Sequence, residues 1–111
     1  MNETIIDPAT FSELQATAGA DFVAELVDTF LEEAPQMLAE LRAAQAAASA
    51  ERFRRAAHSL KSNSVTFGAL KLGTMARDLE LGGLVLDAVP VDALQAEYKR
   101  AAAALKELTH G

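Results

Sequence analysis

Cysteine and tryptophan are missing from this 111-residue sequence, and tyrosine occurs once. Without cysteine there is no disulfide and no thiolate metal site. With five phenylalanines and one tyrosine as its only aromatics, the core must be built from Leu, Val and many Ala. No apolar run approaches the ~20 residues that cross a bilayer. The first ten residues, with Asn2, Glu3, Asp7 and Pro8 among them, lack the apolar stretch of a secretory leader. A cytoplasmic protein is therefore expected. An excess of positive charge is also missing: the formal net charge is −6, which argues against nucleic acid as a partner, because phosphate backbones reward clustered Lys and Arg. The length suits a single domain, residues 1–111, with one core and no room for a second.

What is present points to helices. Half of the residues are hydrophobic, and alanine-rich runs such as Ala43 to Ala50 favour helix over strand. Asp7-Pro8 reads as an N-cap followed by proline at the first helical position, opening a short helix to about Ala18, which Gly19 breaks. From Ala20, Val23, Val27, Phe30, Ala34, Met37, Leu41 and Ala44 recur in steps of three and four, with Glu25, Asp28 and Glu32 opposite. Pro35 does not shift that phase, so one long kinked helix to about Ala48 is expected. Ser49 is placed to cap a helix from Ala50 to Phe67, and Gly68 stands where a left-handed C′ residue is wanted. A further helix from about Ala69 or Leu70 directs Leu72, Met75, Ala76, Leu79 and Leu86 inward, with Gly82-Gly83 weakening its last turns. The last helix, from Pro90, carries Val91, Leu94, Tyr98, Ala101, Leu105 and Leu108. Short connections make neighbours antiparallel. The expected fold is all-α: an antiparallel up-down-up-down four-helix bundle with a short extra N-terminal helix.

One residue stands apart from the core pattern. Phe53, Ala57, Leu60, Ser64 and Phe67 fall within about 40° of one direction, whereas His58 lies about 140° from Phe53. Arg54, Lys61, Ser62 and Val65 share its sector. The histidine thus projects from mid-helix among cations and a small residue, with no carboxylate facing it within a turn, Glu51 two turns back aside. A histidine that attacks phosphorus must be neutral, and nearby cations favour the neutral ring. They also favour a phosphorylated product, which carries negative charge and several acceptor oxygens. Taken alone, an exposed helical His beside Lys and Arg is ordinary surface.

The local sequence adds to this. His58-Ser59-Leu60-Lys61-Ser62-Asn63-Ser64-Val65-Thr66-Phe67-Gly68-Ala69 resembles the signature of histidine-containing phosphotransfer (HPt) domains: His, any residue, an aliphatic, Lys, small residues, then an apolar residue before Gly-Ala or Gly-Leu. Phe30-Leu31-Glu32-Glu33-Ala34-Pro35, Arg55-Ala56-Ala57 and Ala76-Arg77-Asp78-Leu79-Glu80 are similar to the flanking segments of that family, and the resemblance runs from about Phe22 to Leu105. It implies that His58 accepts a phosphoryl group from a receiver-domain aspartate and passes it to another receiver. It also implies that Lys61 supports the phosphoryl oxygens and that Gly68 is a structural turn. Ser62 departs from the Gly usual after that Lys, yet is small enough to leave access. Arg54, one turn before His58, is a second candidate for phosphoryl support.

The chain has no Gly-rich nucleotide loop and no acidic Mg²⁺ pocket, so autokinase activity is not expected. No cofactor is expected on this chain, and Mg²⁺ belongs to the partner receiver. The implied partners are response-regulator receiver domains and a hybrid sensor histidine kinase, with this chain a monomer. Ser62, Val65, Phe22 and Leu26 are the candidate docking residues, Val65 having no packing reason to be apolar. Three alternatives differ from this reading. A di-metal bundle needs two Glu-x-x-His motifs, and only Glu107 to His110 has that spacing. An adaptor bundle would dock a receiver or kinase without phosphorylation. A module of a larger sensor would share the motif, although Asp7-Pro8 and Gly111 read as the edges of a free-standing protein.

Overall fold

A computed structural model describes residues 4–110, so the edge read at Gly111 lies outside the described residues. Five helices follow in order: α1 Pro8–Ala18, α2 Ala20–Ala47, α3 Ala50–Thr66, α4 Leu70–Gly82 and α5 Val89–His110. Among the described residues there is no strand. α2 packs on α3, α3 on α4, α4 on α5, and α5 back on α2, while α1 lies against α2. Cross-helix pairs set the directions. Phe30 meets Phe67 at 5.4 Å between ring centroids and Glu40 meets Arg52 at 2.8 Å, so α2 and α3 run antiparallel. Arg42 with Asp92 at 2.8 Å and Asp28 with His110 at 2.9 Å do the same for α2 and α5. The result is an up-down-up-down four-helix bundle with α1 as the extra helix.

The core follows the expected stripes closely. Val23, Val27, Phe30, Ala34, Leu41 and Ala44 of α2, with Phe53, Ala57, Leu60, Ser64 and Phe67 around α3, are all buried. In α2, Leu38 is buried as well, while Met37, like Met75 and Leu79 of α4, is partly buried against the core. Two inward assignments need correction. Leu86 is 70% exposed: α4 has already ended at Gly82, so the helical phase no longer applies in the 83–88 connection. Leu108 is half exposed because it lies in the last turn of α5, beyond Leu105, the last fully buried position of the stripe. The start of α5 is also one residue earlier than Pro90.

Two termini fix the turn that presents the site. Ser49 caps α3 by accepting a hydrogen bond from the Arg52 amide at 3.3 Å. At the other end the Gly68 amide donates to the Val65 carbonyl and the Ala69 amide to the Ser64 carbonyl, a Schellman closure with Gly68 at φ +85°. Gly68 is needed for space as well, since a Cβ there would lie 3.0 Å from the Asp7 carbonyl oxygen. The Asp7 amide in turn donates to the Gly68 carbonyl at 2.8 Å, tying the start of α1 to the α3–α4 turn.

Pro35 sits inside α2 without ending it. Lacking an N–H, it leaves the carbonyl of Leu31, four residues back, without its helical donor. The hydroxyl of buried Tyr98 donates to that carbonyl at 3.3 Å across the α2–α5 interface. Tyr98→Phe is expected to destabilise the bundle by about 1 kcal/mol, the usual net worth of such a bond. In a Pro35→Ala background the cost should shrink, because Leu31 regains its helical partner. A double-mutant cycle by denaturant unfolding measures this, and strictly additive effects would show that the two residues are uncoupled.

Candidate functional site

α3 and α4 fold back about Ala69, so residues equally distant from it face one another. Val65 therefore stands opposite Gly73, and His58 opposite Glu80. The His58 side chain is 55% exposed, while that of Glu80, on the α3-facing flank of α4, is 14% exposed. His58 Nδ1 lies 2.7 Å from Glu80 Oε2, and Lys61 Nζ lies 3.0 Å from Glu80 Oε1. One carboxylate thus joins the histidine to the lysine one turn on. Oε1 accepts no hydrogen bond of good angle, so its link to Lys61 is mainly one of charge. The expectation that no carboxylate faces His58 holds only along α3, because the partner comes from the neighbouring helix.

This geometry bears on which ring nitrogen is open. An ionised carboxylate only accepts, so Nδ1 carries the hydrogen and donates it. In the neutral ring the lone pair then belongs to Nε2, which makes no hydrogen bond among the described residues. Glu80 holds the ring's tautomer and orientation as a carboxylate does for many nucleophilic or metal-binding histidines. The Lys61 ammonium first and the His58 ring second hold the Glu80 carboxyl below its ordinary value of 4.5, against the opposing effect of desolvation. A carboxylate depressed in this way stabilises the folded state above its unfolded pKa and loses that contribution as pH falls through its folded one. Wild type is therefore expected to lose melting temperature more steeply than Glu80→Gln between about pH 5 and 3. Glu40, lowered by its hydrogen bond with Arg52, and Asp7, lowered by Thr10, share the acid slope, so the variant flattens only part of it. Identical slopes would show that the folded state gains nothing from this carboxylate.

The remaining candidates are distributed around this triad. Arg54 is exposed one turn before His58 and makes no ion pair among the described residues, while Ser62 is exposed one turn after it. Val65 is 46% exposed, but it does have a packing role: its Cγ2 would lie 2.7 Å from a Cβ on Gly73 of α4. Phe22 is exposed and Leu26 half-buried on the α3-facing edge of α2. The Phe30–Phe67 and Glu40–Arg52 pairings put His58 level with residues 34–39 of α2. Phe22 is thus displaced by roughly 18–26 Å, and Leu26 by roughly 12–20 Å, toward the α1 end. Level with the histidine runs an open groove between α2 and α3, bordered by Met37, Glu40, Arg52, Arg55 and Ser59. His110 places Nε2 2.9 Å from Asp28 Oδ1 at the far end of α5. Among the described residues, no group of three or more His, Cys, Asp or Glu is arranged to hold a metal ion.

A family comparison decides what this arrangement belongs to. The sequence profile of the Hpt domain matches residues 25–104. The chain belongs to the Hpt domain family. Among solved structures, histidine-containing phosphotransfer protein B of Pseudomonas aeruginosa PAO1 is similar, with a TM-score of 0.77 and 28% identity over 97% of this chain and 93% of that one. A search of curated proteins found no match. As an Hpt domain the protein is a phosphocarrier, acting in histidine phosphotransfer within a phosphorelay. No described helix is long and apolar enough to cross a membrane.

Sequence reasoning missed Glu80 as a member of the site. The signal was available in principle: folding the chain about the Gly68-Ala69 turn brings residue 80 opposite residue 58. The core stripe through Leu72, Ala76 and Leu79 then leaves Glu80 on the flank of α4.

Proposed function

We propose that His58 is the phosphoacceptor and that Nε2 is the atom which carries the group. The observation behind this reading is the engagement of Nδ1 by Glu80, which in the neutral ring leaves Nε2 as the unprotonated nitrogen, without a hydrogen-bond partner among the described residues. In the forward step the Nε2 lone pair attacks the phosphorus of a receiver's aspartyl phosphate. A P–N bond forms, the P–O bond to the aspartate breaks, and the receiver keeps its carboxylate. The ring gains positive charge, which the Glu80 carboxylate offsets at 2.7 Å. Reversal of the same step passes the group to a second receiver.

Lys61 supports the product. Its ammonium already sits beside the same carboxylate and is one turn from His58, within reach of phosphoryl oxygens on the ring. Arg54, from the preceding turn, adds positive charge on the other side. Mg²⁺ and the acid chemistry of aspartyl phosphate belong to the receiver, so this chain binds no cofactor and does not phosphorylate itself. Its partners are receiver domains of response regulators and of a hybrid sensor kinase, which it meets as a monomer at Ser62 and the adjacent surface. Incubation with phosphorylated receivers, followed by ³¹P and ¹⁵N NMR of the product, tests the assignment. A phosphoryl group on Nε2 of His58 is expected. A group on Nδ1, on His110, or on a residue other than histidine would overturn it.

A further inference from the structure

α4 lies unusually close to α3 at one point. A Cβ at Gly73 would meet Val65 Cγ2 at 2.7 Å, and would also touch the Lys61 carbonyl oxygen and the Val65 amide nitrogen at 3.7 Å. Glycine there is not called for by backbone conformation, since Gly73 lies within the helix and is not among the residues of positive φ. In a helix interior it even costs up to about 1 kcal/mol relative to alanine. What it supplies is room for Val65 against the backbone of α4. Gly73 and Glu80 are seven residues apart, two turns along one face of α4, and Val65 and His58 are the matching pair on α3. The contact that sets the spacing of the two helices therefore lies on the same seam as the carboxylate that holds the histidine.

We propose that Gly73 is a positioning residue for phosphotransfer: by letting α4 close onto Val65, it keeps Glu80 within hydrogen-bond distance of His58. The idea rests on the reading of His58 as the phosphoacceptor. Carbon atoms rest about 3.5–4.0 Å apart, so a methyl at position 73 displaces its neighbour by roughly 1 Å. Val65 cannot yield easily, because a β-branched side chain in a helix has one strongly preferred rotamer. The helices separate instead. A similar displacement at Glu80 stretches its 2.7 Å contact with His58 beyond the range of a hydrogen bond. Nδ1 then loses its acceptor, and both ring tautomers become populated.

Gly73→Ala, Val65→Ala and the double variant form the test, read out by the ¹⁵N shifts of the His58 ring at neutral pH and by the rate of transfer from a phosphorylated receiver. Gly73→Ala should remain a folded helical bundle, shift the ring toward a mixture of tautomers, and transfer about tenfold more slowly, as for loss of one charge-assisted hydrogen bond. Val65→Ala should leave the tautomer as in wild type. In the double variant the methyl at position 73 meets no Cγ2, so the tautomer should return to that of wild type and the rate to that of Val65→Ala, which carries any loss of receiver docking by itself. An unchanged ring in Gly73→Ala would overturn the proposal, as would failure of the double variant to restore it, or global unfolding of Gly73→Ala. The ring shifts report on Glu80 and His58 whether or not a receiver phosphorylates the chain. Failure of the phosphoacceptor assignment would instead appear as wild-type protein that takes up no phosphoryl group on His58.

Discussion

His58→Gln is expected to take up no phosphoryl group from a phosphorylated receiver while keeping the melting profile of the wild type. The side chain lies off the core, and the glutamine amide can still donate to the Glu80 carboxylate that accepts from Nδ1. Surface substitutions of this kind ordinarily change stability by less than about 0.5 kcal/mol. The effect on chemistry is complete, because an amide nitrogen has no available lone pair with which to attack phosphorus. In the wild type the adduct should be labile to acid and stable to base, as a P–N bond is, and ATP alone should produce none. His110 is the internal control: it is the other histidine of the chain, held beside Asp28 at the end of α5, remote from Lys61 and Glu80. Acid-labile label that persists in His58→Gln would move the site elsewhere, whereas loss of label together with loss of helix would leave only a folding defect.

Most of the fold was legible because the helices are long, amphipathic and well punctuated. Asp7-Pro8, Gly19, Ser49 and Gly68 each do locally what their chemistry demands, and between them the apolar spacing holds its phase. Legibility failed where a helix ends and where a property depends on a neighbouring helix. Leu86 looked inward only while α4 was imagined to continue past Gly83, and Leu108 only while the stripe was extended into the last turn of α5. His58 could be placed off the core from α3 alone, but its carboxylate partner could not, because Glu80 is 22 residues away and meets it only through the register of the α3–α4 turn. The same holds for Val65, whose apolar character was read as a surface feature and is half explained by the missing side chain of Gly73. Tyr98 is a third case: its hydroxyl answers a vacancy created by Pro35, on a different helix.

Ser62→Trp is expected to block transfer from a receiver almost completely, with the fold and the acceptor both intact. In the proposed docking, a phosphoaspartate reaches Nε2 along a path that passes the next exposed turn of α3. Ser62 is that turn, about 40° from His58 around the helix and one turn C-terminal to it. A serine there leaves the approach open, whereas an indole adds a rigid body that no rotamer can withdraw from the exposed face. The helix itself does not depend on the serine side chain: Thr66 donates to the Ser62 backbone carbonyl at 2.9 Å, a bond that tryptophan preserves. Transfer should fall by at least about a hundredfold, equivalent to a block of 2.7 kcal/mol or more, and calorimetry should detect no receiver binding. A small donor such as phosphoramidate separates the causes, since it needs no docking surface and should still phosphorylate His58 in the variant. If phosphoramidate also fails, the substitution has damaged the acceptor rather than the approach. If receiver transfer proceeds at the wild-type rate, the receiver comes in over α2 instead. The groove between Met37 and Ser59, continued toward Leu26 and Phe22, would then be the surface to substitute.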